Sequence, residues 1–110
     1  MENESTEETV DLFRALGDIT RVRMMRALSS GKPERIGVTE LASMMGITQP
    51  AASQHLKILK NVKLVRANKE GNHIYYTFNR DAILRHKGRV DDLFGRVLEK
   101  CDRLDRKRKA

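Results

Sequence analysis

The stretch ITQPAASQHLKILKNV, residues 47–62, decides how the rest of the chain folds. Ala52, Leu56 and Leu59 recur at steps of four and three, so they line one stripe of a helix, and Ile47 closes its start. Gln49, Ser53, Gln54, Lys57 and Lys60 are left on the outer face. Thr48 stands where an N-cap belongs, just before Gln49 and Pro50. Proline is tolerated in a first turn because its missing N–H would have no partner there. The helix is therefore predicted to begin at Thr48. Upstream, residues 38–46 (VTELASMMG) give a second short helix: Thr39 can cap it, Leu41, Ala42 and Met45 can be buried, and Gly46 can end it in the left-handed conformation. Helix, tight turn at 46–47, helix is a helix-turn-helix.

Two packed helices in a small bundle would account for the apolar residues but not for the charge. No acid lies between Glu40 and Glu70, whereas Lys57, Lys60, Lys63, Arg66 and Lys69 are basic. A positive face on and after the second helix suits phosphate contact, because neutralising phosphates releases condensed counterions. The asymmetry runs through the whole chain. Lys and Arg number 22 against 15 Asp and Glu, a net charge of +7. Glu2, Glu4, Glu7, Glu8 and Asp11 crowd the first eleven residues without a base, so the remainder carries +12. A basic body with an acidic lead points to a polyanionic partner.

The 110 residues suit one domain. No window approaches 18 apolar residues and the N-terminus is acidic, so neither a membrane span nor a signal peptide is expected, and the reading is cytoplasmic. The single cysteine, Cys101, excludes an intramolecular disulfide and a multi-cysteine zinc site within the chain. Five aromatics and no tryptophan argue against a stacking platform for single strands.

Residues 1–6 read as polar and frayed. From about Thr6 a helix is predicted, with Val10, Phe13 and Leu16 at three-residue steps, ending at Gly17. Asp18 caps the next helix, residues 19–29, which is expected to bury Ile19, Val22, Met24 or Met25, and Leu28 and to expose Arg21, Arg23 and Arg26. Gly31, Lys32 and Pro33 break it, and residues 35–37 read as a short strand or plain loop. Residues 64–69 and 73–78 are two strands joined at 70–72. Ile74, Tyr76 and Phe78 alternate with His73, Tyr75 and Thr77, the pattern of a half-buried strand. Residues 81–104 are helical again, with a candidate interruption at Gly88. Val90, Phe94, Val97, Cys101 and Leu104 step by four, three, four and three, an a/d seam longer than a compact domain needs for its own core. Part of that seam is assigned to a second subunit. Residues 106–109 (RKRK) form a basic tail.

The runs LFRALGDITRVRMMRAL (12–28), VTELASMMGITQPAASQHLKILK (38–60) and LVRANKEGNHIYYTF (64–78) together resemble the ArsR-type winged helix-turn-helix repressors of bacteria and archaea. The resemblance spans nearly the whole chain, and the run 49–59 with the wing ending in Tyr76 is its most specific part. It implies a homodimer built on the first and last helices, a palindromic operator as partner, and release of DNA by a metal ion or another inducer. The chain departs from the metal-sensing pattern. Gly37 and Thr39 occupy the positions of a cysteine pair, and Arg80, Ala82, Leu93 and Arg96 those of a second ligand set. Lys63 stands where glycine is usual, so a local strain is expected there.

The expected fold is mainly α with a small hairpin, α-α-(β)-α-α-β-β-α, dimerising through the first and last helices. Residues 1–8 form a flexible acidic lead, 9–105 the DNA-binding and dimerisation domain, and 106–110 the tail. Base edges and phosphates fall to Thr48, Gln49, Ser53, Gln54, His55, Lys57 and Lys60, with Lys69, Asn72 and His73 on the wing. His55, between the two sides of its helix, suits a phosphate contact or a hydrogen bond inside the fold. Val10, Phe13, Val90, Phe94, Val97, Cys101 and Leu104 are assigned to the dimer interface. His86, Asp81, Asp91, Asp92, Glu99 and Cys101 are the only candidate metal ligands near the last helix, and their spacing is poor, so no metal and no cofactor are assigned. No enzymatic constellation is present: there is no phosphate loop, no carboxylate pair with a companion base, and no activated serine. Two other readings stay open, a protein-interaction module using the terminal seam and a metal- or thiol-responsive variant of the repressor. The inducer is left unassigned.

Overall fold

The computed structural model of the chain describes residues 2–30 and 35–109. Its elements run α1 (Glu2–Leu16), α2 (Ile19–Ser29), β1 (Ile36–Gly37), α3 (Val38–Met45), α4 (Gln49–Asn61), β2 (Val65–Glu70), β3 (His73–Phe78) and α5 (Arg80–Lys109). This is the expected winged helix-turn-helix. Its core gathers Leu12 of α1, Met24 of α2, Leu41 and Ala42 of α3, and Ala52, Leu56 and Leu59 of α4, with Ile36, Leu64 and Val65 closing the sheet side. Leu41, Ala52, Leu56 and Leu59 are 0% exposed, so the stripe read from the 4-and-3 spacing faces inward.

The junction of α1 and α2 corrects two expectations. Asp18 caps α2 as expected, accepting from the Thr20 and Arg21 backbone N–H groups at 2.9 and 3.1 Å. The Arg21 N–H bond, with the Arg21 charge, holds the Asp18 carboxyl below its ordinary value. Ile19 is not buried but 67% exposed, whereas Met24, one of the two methionines expected inside, is fully buried. Arg21 is not exposed either. Its guanidinium folds back to donate to the carbonyl of Ala15 at the end of α1 and, at 3.4 Å, to that of Arg14, which also accepts from the Gly17 N–H. The expected break at 31–33 lies outside the described residues.

α3 is capped by Gly37 without a side-chain bond rather than by Thr39, which is already helical. Gly46 closes it at φ +66, the left-handed turn expected there. β1 is a true strand: Ile36 and Gly37 pair antiparallel with Tyr76 and Tyr75, making a sheet of order β1-β3-β2. The hairpin pairs Val65 with Phe78 through to Glu70 with His73, so its loop is the two residues Gly71 and Asn72. Gly71 takes the positive φ that such a loop needs at its first position, +63. The expected alternation in β3 holds only at its inner end, where Tyr76 and Phe78 pack on the core. Ile74 is exposed, because the wing projects past the body there.

α1 begins at Glu2 rather than near Thr6, and α5 runs unbroken through Gly88 to Lys109, including most of the basic tail. Asn79 caps α5, its side-chain oxygen accepting from the Ala82 N–H at 3.3 Å. A Cβ at Gly88 or Gly95 would meet nothing within 4 Å, so neither glycine serves packing inside this chain. The distal half of α5 extends beyond the body and gives the molecule its 65 Å long axis.

Candidate nucleic-acid interface

Three devices hold α4 at the surface. The Thr48 side chain accepts from the Ala51 N–H at 3.2 Å, fixing its start with proline in the first turn. Its buried stripe anchors it to α2 and α3. Its end is set by Val62, whose carbonyl oxygen accepts a 2.8 Å bond from His86 Nε2 on α5, and by Lys63, which turns the chain toward the sheet at φ +64. Lys63 is the one non-glycine residue with positive φ among the described residues, so the strain expected at this position is present.

The outer face carries what the spacing placed there. Thr48, Gln49, Ser53, Gln54, Lys57 and Lys60 are all exposed. Gln49 is not free, since its amide donates to the Thr39 hydroxyl and ties α4 to α3. His55 is half-buried, with Nδ1 3.3 Å from an Arg21 guanidinium nitrogen, so it sits inside the α1–α2–α4 junction rather than on the open face. Lys69, Asn72 and His73 are exposed at the wing tip. The wing is braced by the bond from Asn68 to Thr77 at 3.0 Å and by Arg66 reaching the Asn79 side chain at 3.2 Å. Arg35, which no motif in the sequence marks, pairs with Glu70 and lies 4.4 Å over the Tyr75 ring. That pairing neutralises the one acid at the wing tip and leaves Lys69 as its cation.

Of the residues assigned to a dimer seam, Val90 packs against the core, whereas Val10 and Phe13 on α1 and Phe94 (55%), Val97 (53%), Cys101 and Leu104 on α5 are exposed, as is Leu98 (59%). His86 is not beside the other candidate ligands. It is 8% exposed on the inward stripe Ala82, His86, Val90, whose four-residue steps could have placed it. Its Nδ1 has no hydrogen-bond partner. Among the described residues no three His, Cys, Asp or Glu side chains converge on a common point, and no helix is long and apolar enough to cross a membrane.

Comparison with known proteins gives the same outline. The sequence profile described as "Bacterial regulatory protein, arsR family" matches residues 18–67. The chain is 35% identical over 74 residues to the HTH-type transcriptional regulator KmtR of Mycobacterium tuberculosis, covering 67% of this chain and 55% of that one. It is 31% identical over 77 residues to the transcriptional repressor SmtB homolog of Synechocystis, covering 70% and 56%. The chain thus spans about half the length of these two relatives. With the HTH-type transcriptional regulator MJ1325 of Methanocaldococcus jannaschii it shares 31% over 90 residues, 82% of this chain and 99% of that one. Among solved structures, an ArsR-like transcriptional regulator from Rhodococcus superposes with a TM-score of 0.79 at 19% identity, over 94% of both chains. A homodimeric winged helix-turn-helix DNA-binding domain from Mycobacterium bovis superposes at 0.67 and 24%, over 91% of this chain and 86% of that one. At those identities the structures speak for the fold alone.

Proposed function

The chain belongs to the ArsR family of bacterial regulatory proteins, and on that premise we propose that it is a dimeric, sequence-specific DNA-binding repressor that holds a palindromic operator through the 48–60 helix and the 69–73 wing. The observation that carries this reading is the acid-free outer face of α4. Ser53 and Gln54 stand exposed on its N-terminal half, with Lys57 and Lys60 behind them and Lys69 on the adjoining wing. In the major groove the N-terminal half of such a helix meets base edges, where a Gln amide can pair bidentately with adenine, while the lysines meet phosphates. The open seam of α1 and α5 supports a second copy across a two-fold axis, and two α4 helices then sit about one DNA turn, ~34 Å, apart.

Binding to a sequence selected from random duplex, compared with random duplex at two salt concentrations, tests the roles. Gln54→Ala is expected to relax preference at one base pair of each half-site, a change of about 1–3 kcal/mol. Lys57→Ala is expected to weaken all sequences alike and to flatten the salt slope by about one unit. Equal behaviour of the two variants on both DNAs overturns the assignment. Indifference to duplex at low salt overturns the function and favours a protein-interaction module.

A further inference from the structure

A cleft of about 320 Å³ opens where α1, the end of α4 and the start of α5 meet. Its volume lies at the lower end of what small-ligand sites offer, roughly 300–1,000 Å³. Lys63, Arg85, Arg89 and His86 line it, with Glu8 and Asp11 on the α1 side. Arg89 is held by Glu8, but among the described residues neither Lys63 nor Arg85 has an ion-pair partner. With Lys63, Arg85 and Arg89 set against Glu8 and Asp11 the cleft is net positive by one charge, which suits an anion, and a guanidinium beside an ammonium suits a carboxylate or a phosphate.

Two further observations mark this wall. Lys63 keeps a left-handed backbone that glycine would adopt without strain, and a strained residue at the edge of a cleft is more readily explained by what its side chain does there. His86 closes the floor: its Nε2 donates to the carbonyl of Val62, the residue capping α4, which leaves the buried Nδ1 an acceptor without a partner, suited to an O–H donor such as that of hydrogen phosphate. An occupant would therefore lie against a side chain that ties α5 to the end of α4.

We propose that this cleft binds a small organic or inorganic dianion through Lys63 and Arg85, and that its occupancy is felt through His86 at the C-terminal end of α4. The consequence for DNA rests on α4 being the reading helix; the binding itself does not. The experiment titrates succinate and, separately, inorganic phosphate into the full chain at constant ionic strength against a sodium chloride control, following backbone amide NMR shifts. Saturable shifts at Lys63, Arg85, His86 and Val62 are expected, and whichever probe binds more tightly tells carboxylate from phosphate. Lys63→Gly relieves the backbone, so it is expected to keep or raise the Tm while weakening the anion at least tenfold; Arg85→Gln is expected to weaken it similarly with an unchanged Tm. Shifts no larger than those from chloride, or full affinity in both variants, overturn the site. If an anion binds and duplex DNA does not, the operator reading falls while the cleft stands; if duplex binds and neither anion does, the reverse holds.

Discussion

The stripe of α4 and the seam of α5 are written in the same spacing and end in opposite surroundings. Ala52, Leu56 and Leu59 are sealed inside the chain, whereas Phe94, Val97, Leu98 and Leu104, at equivalent helical steps, are each about half exposed. The difference teaches that periodicity names the apolar face of a helix but not what covers it. Around α4 three other elements supply the cover. Past Val90, α5 has outrun its own body, and an apolar face of that length in water is expected to find a second copy.

The comparison breaks first at Leu56. Leu56→Ala empties a fully buried site and is expected to cost about 2–5 kcal/mol in urea unfolding at any protein concentration. Leu98→Ala should leave the unfolding of the dilute chain within about 0.5 kcal/mol of the parent; a loss as large as that of Leu56→Ala would mean that the α5 seam is covered from within. Next comes Phe94→Glu. It is expected to weaken self-association by about 2–4 kcal/mol, read by sedimentation equilibrium, without loss of helical circular dichroism. A chain that is monomeric before the substitution sinks the dimer.

The smallest effect lies at Asp18, a partly exposed cap in the α1–α2 junction that belongs to neither stripe. Its lowered carboxyl value means that the charged form is favoured in the folded chain, chiefly by the Arg21 N–H. That stabilisation is present above the ordinary aspartate range, ~4, and is lost as pH falls through the lowered folded value. Asp18→Asn should therefore melt below the parent at pH 7 and approach it in acid. An offset that stays constant from pH 7 to pH 2.5 would refute the linkage.

What could be read from the residues follows from this contrast. Local chemistry with one solution was legible: the Thr48 and Asp18 caps, the left-handed Gly46, the α2 bounds and the face of α4 each depend on a few neighbouring residues, whereas the strain at Lys63 was expected only from the family resemblance. Features set by distant parts of the chain were not. Ile19 reads as buried by its type, yet it is 67% exposed, and Arg21 turns inward because the Ala15 carbonyl at the end of α1 needs a donor. Gly88 looks like a break, but a glycine costs only about 1 kcal/mol within a helix, less than the rest of α5 recovers. Arg35 over Tyr75 gave no local signal, since their meeting depends on the β1–β3 pairing.

An uninterrupted α5 also has a mechanical meaning. Thirty residues without a hinge make a strut of ~45 Å, of which ~35 Å lies beyond His86, so a tilt of about five degrees where His86 grips the body becomes a sideways travel of roughly 3 Å at the far end, on the scale of one base-pair step. Were two such struts clasped along their outer halves, a slight change of angle beside either body would shift one reading head against the other by enough to lose register with the duplex, with no need for any element to unfold.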